Sequence, residues 1–181
     1  IRDPRPPLGV GQIFVRSPML FMNYVGPNTD NTAAVRDGDW LSVRDMGYVD
    51  AQGYLCLVGR ENRMVVTQGK NLFPEEVEAV LMADARIAQA SVQGVTDPIR
   101  GQMVVAVLKL QAGAQALTLQ DVAALCRTHL EAYKIPKRVW VCEAWPQTAS
   151  GKTDHAAIAQ ALQASALNPD VKGQSCLHPL L

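Results

Sequence analysis

A five-residue polar break, Gly59-Arg60-Glu61-Asn62-Arg63, does most to limit what this chain can become. It follows an apolar strand pattern and is itself strongly polar, so it reads as a linker and a candidate domain boundary. Before it, β-branched and aromatic residues predict strands over Gln12–Arg16, Trp40–Val49 and Tyr54–Val58. Asp50-Ala51-Gln52-Gly53 has hairpin-turn chemistry, with Gly53 free to take a positive φ. The Pro-rich residues 1–10 are expected to be extended, and Asn23–Gly38 to be a loop.

After the break the pattern changes. A short strand over Met64–Thr67 and a turn over Gln68–Asn71 lead to Pro74, which suits the first position of a helix. Glu75, Glu76 and Glu78 complement the dipole of that helix, and Val77, Val80 and Leu81 fall on one buried face. Ala88–Val95 reads as a half-buried strand and Met103–Leu110 as a nearly continuous apolar one, joined through Asp97–Gly101. Thr118–Asp121 opens a second helix with a capping-box pattern, directing Val122, Leu125 and Leu130 inward. A strand over Arg138–Cys142, a flexible loop over Thr148–Lys152 and a last helix over Asp154–Leu162 complete the pattern. The class is α+β: a β-rich fragment over 1–61, a small and mostly antiparallel α+β domain over 62–165, and a loosely structured tail over 166–181.

Composition removes several functions. With 48% hydrophobic residues, and 17 Lys+Arg balancing 17 Asp+Glu over 181 residues, the chain is neither a charged disordered tail nor a nucleic-acid binder driven by bulk charge. No apolar run approaches the ~20 residues of a membrane-spanning helix, and the first residues lack the apolar core of a signal peptide, so a cytoplasmic location is expected. Cys56, Cys126, Cys142 and Cys176 form no CxxC pair and do not cluster with His129, His155 or His178, which predicts reduced thiols and no metal site.

Three residues stand out as chemistry. Lys152 follows Gly151 in a loop of small residues, where an ammonium can be delivered to charge developing on a carboxylate or phosphoryl oxygen. Asp45 is a strand carboxylate able to accept both hydroxyls of a ribose. Arg60 offers a rigid donor fork for hydroxyl or phosphate oxygens. The GxxxxGK[ST] spacing of a P-loop is absent at Lys152.

The order of these residues resembles the C-terminal portion of the adenylate-forming superfamily, which includes acyl-CoA synthetases, adenylation domains and luciferases. The matching stretches are GQIFVRSPMLFMNYV, DGDWLSVRDMGYVDAQGYLCLVGRENRMVVTQGKNLFPEEVEAVL and YKIPKRVWVCEAWPQTASGKTDH, together about residues 9–163. The resemblance implies that a carboxylic acid and ATP form an acyl-adenylate, after which the C-terminal domain rotates and a thiol displaces AMP. It further implies that Asp45 and Arg60 approach the ribose of ATP or AMP and that Asn62 is the hinge. Gly69, with Gln68 and Lys70, would flank the path of CoA, and Lys152 would be the catalytic lysine of adenylation. ATP, CoA and Mg²⁺ are the implied cofactors, with the Mg²⁺ ligands outside this chain.

The chain departs from the family pattern at Val43-Arg44, Asn62, Gln147 and His155. The phosphate loop and acyl pocket belong to a large N-terminal domain that these residues do not include, so the chain alone is expected to be inactive. The expected partners are a small carboxylic acid, ATP, CoA and that large domain, with no nucleic acid. Two alternatives stay open: an adenylation domain that loads a carrier protein, and a non-catalytic module that needs a separate ATP-binding partner.

Overall fold

A computed structural model describes residues 1–5, 9–22, 34–167 and 177–180, and divides the chain into two compact units, Ile1–Met64 and Val65–Leu181. Residues 23–33 of the expected Asn23–Gly38 loop, and Cys176, lie outside the described residues.

The first unit is an antiparallel sheet of β1 (Arg2–Arg5), β2 (Val10–Val15), β3 (Arg36–Asp37), β4 (Trp40–Val49) and β5 (Leu55–Arg60). Strand β4 pairs with β2 along one edge and with β3 and β5 along the other. Ile13, Leu41 and Met46 are buried. The β4–β5 turn follows its sequence: Asp50 Oδ1 accepts the N–H of Gln52 at 3.0 Å and of Tyr54 at 2.8 Å, and Gly53 takes φ +87°. The expected linker at Gly59–Arg63 is corrected. Gly59 and Arg60 stay in β5 because they pair with Met46 and Asp45, and only Glu61–Arg63 leave the sheet, as one 3₁₀ turn.

The second unit is built around β9 (Gly101–Leu110), whose apolar run is explained by cover on both faces. Val104, Ala106 and Leu108 pack with Val77 and Leu81 of α1 (Pro74–Met82) and with Val122 and Cys126 of α2 (Leu119–Arg127). Val105 and Val107 face Ile158 and Leu162 of α3 (His155–Leu167). One edge of β9 pairs antiparallel with β8 (Ile87–Asp97) along its whole length. At its start β9 meets β6 (Val65–Thr67), which forms a hairpin with β7 (Lys70–Leu72), and further along it pairs in parallel with β10 (Arg138–Cys142).

Local chemistry sets the helix ends. Pro74 opens α1, with Glu75 and Glu76 in the first turn. Glu78 does more than complement the dipole: its buried carboxylate accepts the N–H of Val92, tying α1 to β8. Thr118 and Asp121 form the expected reciprocal capping box at α2. That helix ends at Arg127, so Leu130 reaches the core from the turn beyond it rather than from the helix. Before β8, Asp84 accepts from the Arg86 side chain and backbone, which holds its carboxyl down to about 2. Burial pushes the Cys126 thiol up to about 11.

Two expectations fail in part near the C-terminus. The tail is not loose throughout: α3 runs to Leu167, and β11 (Leu177–Pro179) pairs antiparallel with β10. The Thr148–Lys152 loop is also not slack, being closed by the hydrogen bonds given below. Among the described residues no helix is long and apolar enough to cross a membrane.

Candidate functional site

The structure gathers the sequence-predicted residues into three places. In the first unit Asp45 and Arg60 face one another across β4 and β5, with Arg60 Nε 3.2 Å from Asp45 Oδ1. The pair is accessible, Arg60 at 65% and Asp45 at 29% side-chain exposure. At that level of exposure the pair contributes little to stability and stays available to a ligand. A bulge sets their presentation. Between Phe14↔Ser42 and Gln12↔Met46, three residues of β4 stand against Ile13 alone, and Arg44 takes φ +58°. The Ser42 hydroxyl accepts the Arg44 N–H at 3.1 Å and holds that left-handed turn. Bulges re-aim side chains in this way, and this one lies immediately before the carboxylate. Asn62 follows in the 3₁₀ turn Glu61–Arg63, exposed, two residues after Arg60.

In the second unit Gln68 and Gly69 form the two-residue turn between β6 and β7, with φ +52° and +73°. Two successive positive φ values match the twist of a tight hairpin, and Gly takes the second without strain. The Gln68 N–H donates to the Arg100 carbonyl at 2.9 Å, fixing this turn to the β8–β9 turn. Lys70 begins β7, with its ammonium 4.6 Å from the centre of the Tyr133 ring.

Lys152 stands on a third feature. Gln147 and Thr153 form an antiparallel bridge that closes the loop between them. Within it the Thr148 N–H donates to the Lys152 carbonyl at 2.8 Å, and the Lys152 N–H donates to Thr148 Oγ1 at 3.2 Å. Gly151 takes φ +78°. The backbone of Lys152 is thus held while its side chain is exposed.

The segments that carry Lys152 and Gly69 are tied to different positions along the β8–β9 ladder of the same unit. Thr67 sits beside Gly101 at the start of β9, whereas His155 Nδ1 lies 2.8 Å from the hydroxyl of Ser91, whose strand partner is Val107. Gly101 and Val107 are six residues apart along an extended strand, or about 20 Å. Sequence reasoning missed Trp145 and Tyr133. Trp145 precedes Lys152 by seven residues, too common a pattern to single out, and Tyr133 is 63 residues from Lys70 and meets it only in the fold. Among the described residues no group of three or more His, Cys, Asp or Glu is placed to hold a metal ion.

Residues 76–152 match the family model of the AMP-binding enzyme C-terminal domain. The chain is 40% identical over 156 residues to YhfT of Bacillus subtilis (strain 168), an uncharacterised acyl-CoA ligase, covering 86% of this chain and 30% of that protein. It superposes with a TM-score of 0.76 and 29% identity on the o-succinylbenzoate CoA synthetase MenE of Bacillus subtilis in complex with its acyl-adenylate intermediate, over 84% of this chain and 31% of that one. The same synthetase is known in complex with ATP and magnesium ion. The amide bond synthetase McbA of Marinactinospora thermotolerans gives a TM-score of 0.76 and 33% identity, over 86% of this chain and 32% of that one. The chain spans about 30% of the length of the curated relatives it matches. Residues 76–152 thus carry the C-terminal domain of AMP-binding enzymes, and the chain as a whole is similar to the C-terminal portion of acyl-CoA ligases in the adenylate-forming superfamily.

Proposed function

We propose that these residues are the C-terminal part of an AMP-forming acid–thiol ligase that makes an acyl-CoA from a carboxylic acid, ATP and CoA. A carboxylate oxygen attacks the α-phosphorus of ATP and pyrophosphate leaves. The thiol of CoA then attacks the acyl carbonyl, losing its proton to solvent, and AMP leaves with the oxygen that the acid supplied. Residues 1–61 are read as the end of the large adenylation domain and residues from 62 as the mobile domain. Leu55, Leu57 and Val49 are exposed apolar residues on β4 and β5, which suits a sheet covered by more of a large domain.

In this reading Asp45 accepts from the ribose hydroxyls and Arg60 donates beside it. Lys152 places positive charge between the reacting carboxylate and the α-phosphate, where negative charge concentrates during attack. Asn62 is the pivot, since a hinge needs only a few element-terminal residues that absorb a φ/ψ change. Gln68, Gly69 and Lys70 flank the thiol's path in the second step. Mg²⁺, bound by groups outside these residues, would neutralise the polyphosphate.

The observation that carries this reading is the pair of held features, the Lys152 loop and the Gly69 turn, whose neighbouring residues are tied to different positions along the β8–β9 ladder of one small unit. Two chemical steps that use them in turn need that unit to reorient. The test is ATP–pyrophosphate exchange by the natural full-length protein with acetate, octanoate, benzoate and 2-succinylbenzoate as probes. Exchange that requires one of these acids and proceeds without CoA is expected. ATP cleavage that gives ADP, or no exchange with any of the four acids, would contradict the reading. The amide bond synthetase among the structural neighbours makes an amine the alternative acceptor, which product analysis with CoA distinguishes.

A further inference from the structure

The loop that carries Lys152 is fastened to the core by one side-chain hydrogen bond whose two ends lie eight residues apart. Trp145 is 8% exposed and packs with Val105, Val107, Cys142, Ile158 and Leu162. Its indole Nε1–H donates to Thr153 Oγ1 at 3.1 Å. Thr153 is the residue after Lys152 and the closing partner of the Gln147 bridge. Beyond it, the Asp154 N–H donates to the Pro146 carbonyl at 3.0 Å, and Asp154 Oδ1 accepts the Ala157 N–H at the start of α3. The two residues that follow Lys152 are therefore tied to a ring embedded against β9 and to the start of a helix packed on the same face.

We propose that Trp145 and Thr153 are positioning residues for Lys152. Their hydrogen bond fixes the direction in which the loop presents the ammonium, so that less ordering is left to the adenylation step. This proposal rests on the reading of Lys152 as the adenylation lysine. The physical ground is the cost of misplacement. A side chain on an unfastened loop loses conformational freedom each time it engages, and an error of about 1 Å in such a group can cost 100-fold in rate. The indole ring could fill the core without Thr153. Its N–H, however, is a buried donor that needs an acceptor, and the acceptor here is the residue adjoining Lys152 rather than a core carbonyl.

The test uses the natural full-length protein and whichever of the four probe acids supports exchange. Thr153→Val keeps the volume and removes the acceptor, whereas Thr153→Ser keeps the acceptor. Thr153→Val is expected to lower kcat for adenylation by about 10- to 100-fold with little change in KM for ATP. Thioester formation from the supplied acyl-adenylate should be unchanged, and Thr153→Ser should restore adenylation. In nuclear magnetic resonance, the Trp145 Nε1–H should resist exchange with solvent in the wild type and Thr153→Ser, and exchange freely in Thr153→Val.

Equal losses in both half-reactions would mean a purely structural bond and would overturn the proposal. Unchanged adenylation in Thr153→Val, with adenylation still lost in Lys152→Ala, would overturn it while leaving the role of Lys152 standing. Unchanged adenylation in Lys152→Ala would remove the reading on which it rests.

Discussion

Lys152→Ala should lower the adenylation half-reaction by about 100- to 1,000-fold, the usual cost of removing one group aimed at developing charge in a preorganised site. Thioester formation from a supplied acyl-adenylate should fall by no more than about threefold, because an interaction made only in the first transition state does not reach the second. The fold should be untouched. The Lys152 side chain is exposed, and the bonds that hold the loop use its backbone N–H and carbonyl, which alanine retains. Single-turnover measurement of each half-reaction, with a thermal unfolding curve of the same variant, checks this. Equal slowing of both steps would remove Lys152 from its assigned role.

Leu108→Ala should have the largest effect on stability, about 2–5 kcal/mol. Leu108 is fully buried on β9, between Ala90 of β8 and Val141 of β10, in the cluster that holds α1 and α2 to the sheet. Removing its branched end leaves a cavity in the most crowded strand of the unit, where neighbours on both edges restrict collapse. A whole domain is stable by only about 5–15 kcal/mol, so the loss should appear as a clear fall in the urea midpoint. A change below about 1 kcal/mol would show that β9 is not the packing centre described here.

Much of this arrangement is legible in the amino-acid order, where one short segment settles its own structure. The uninterrupted apolar stretch of β9 reports cover on two faces, Thr118 and Asp121 report a helix start, and Asp50 with Gly53 reports a hairpin. What escaped depends on partners distant in sequence. Gly59 and Arg60 look like a linker, yet they stay in the sheet because Met46 and Asp45 supply ladder partners more than ten residues earlier. Leu177–Pro179 carries no strand pattern of its own and is ordered by pairing with β10. Arg44 gives no sign of a positive φ, since the residue ordinarily avoids it; the bulge and the Ser42 hydroxyl impose it.

The candidate site divides in the same way. Asp45, Arg60 and Lys152 are visible as residue types at suggestive places, whereas Gly69 is singled out only through the resemblance. Small residues around Lys152 suggest a slack loop, but hydroxyl and carbonyl contacts from Thr148 close it. The clamp at its base was illegible for a related reason: Trp145 and Thr153 meet only because the chain turns back on itself between them.

The most direct measurement of the central claim follows one oxygen atom. The natural full-length protein is given its accepted acid labelled with ¹⁸O in the carboxylate, together with ATP and CoA, and the nucleotide product is weighed by mass spectrometry. A route through an acyl-adenylate predicts that one labelled oxygen leaves with AMP for each thioester formed. Thioester formation with unlabelled AMP, or with ADP as the product, would contradict it.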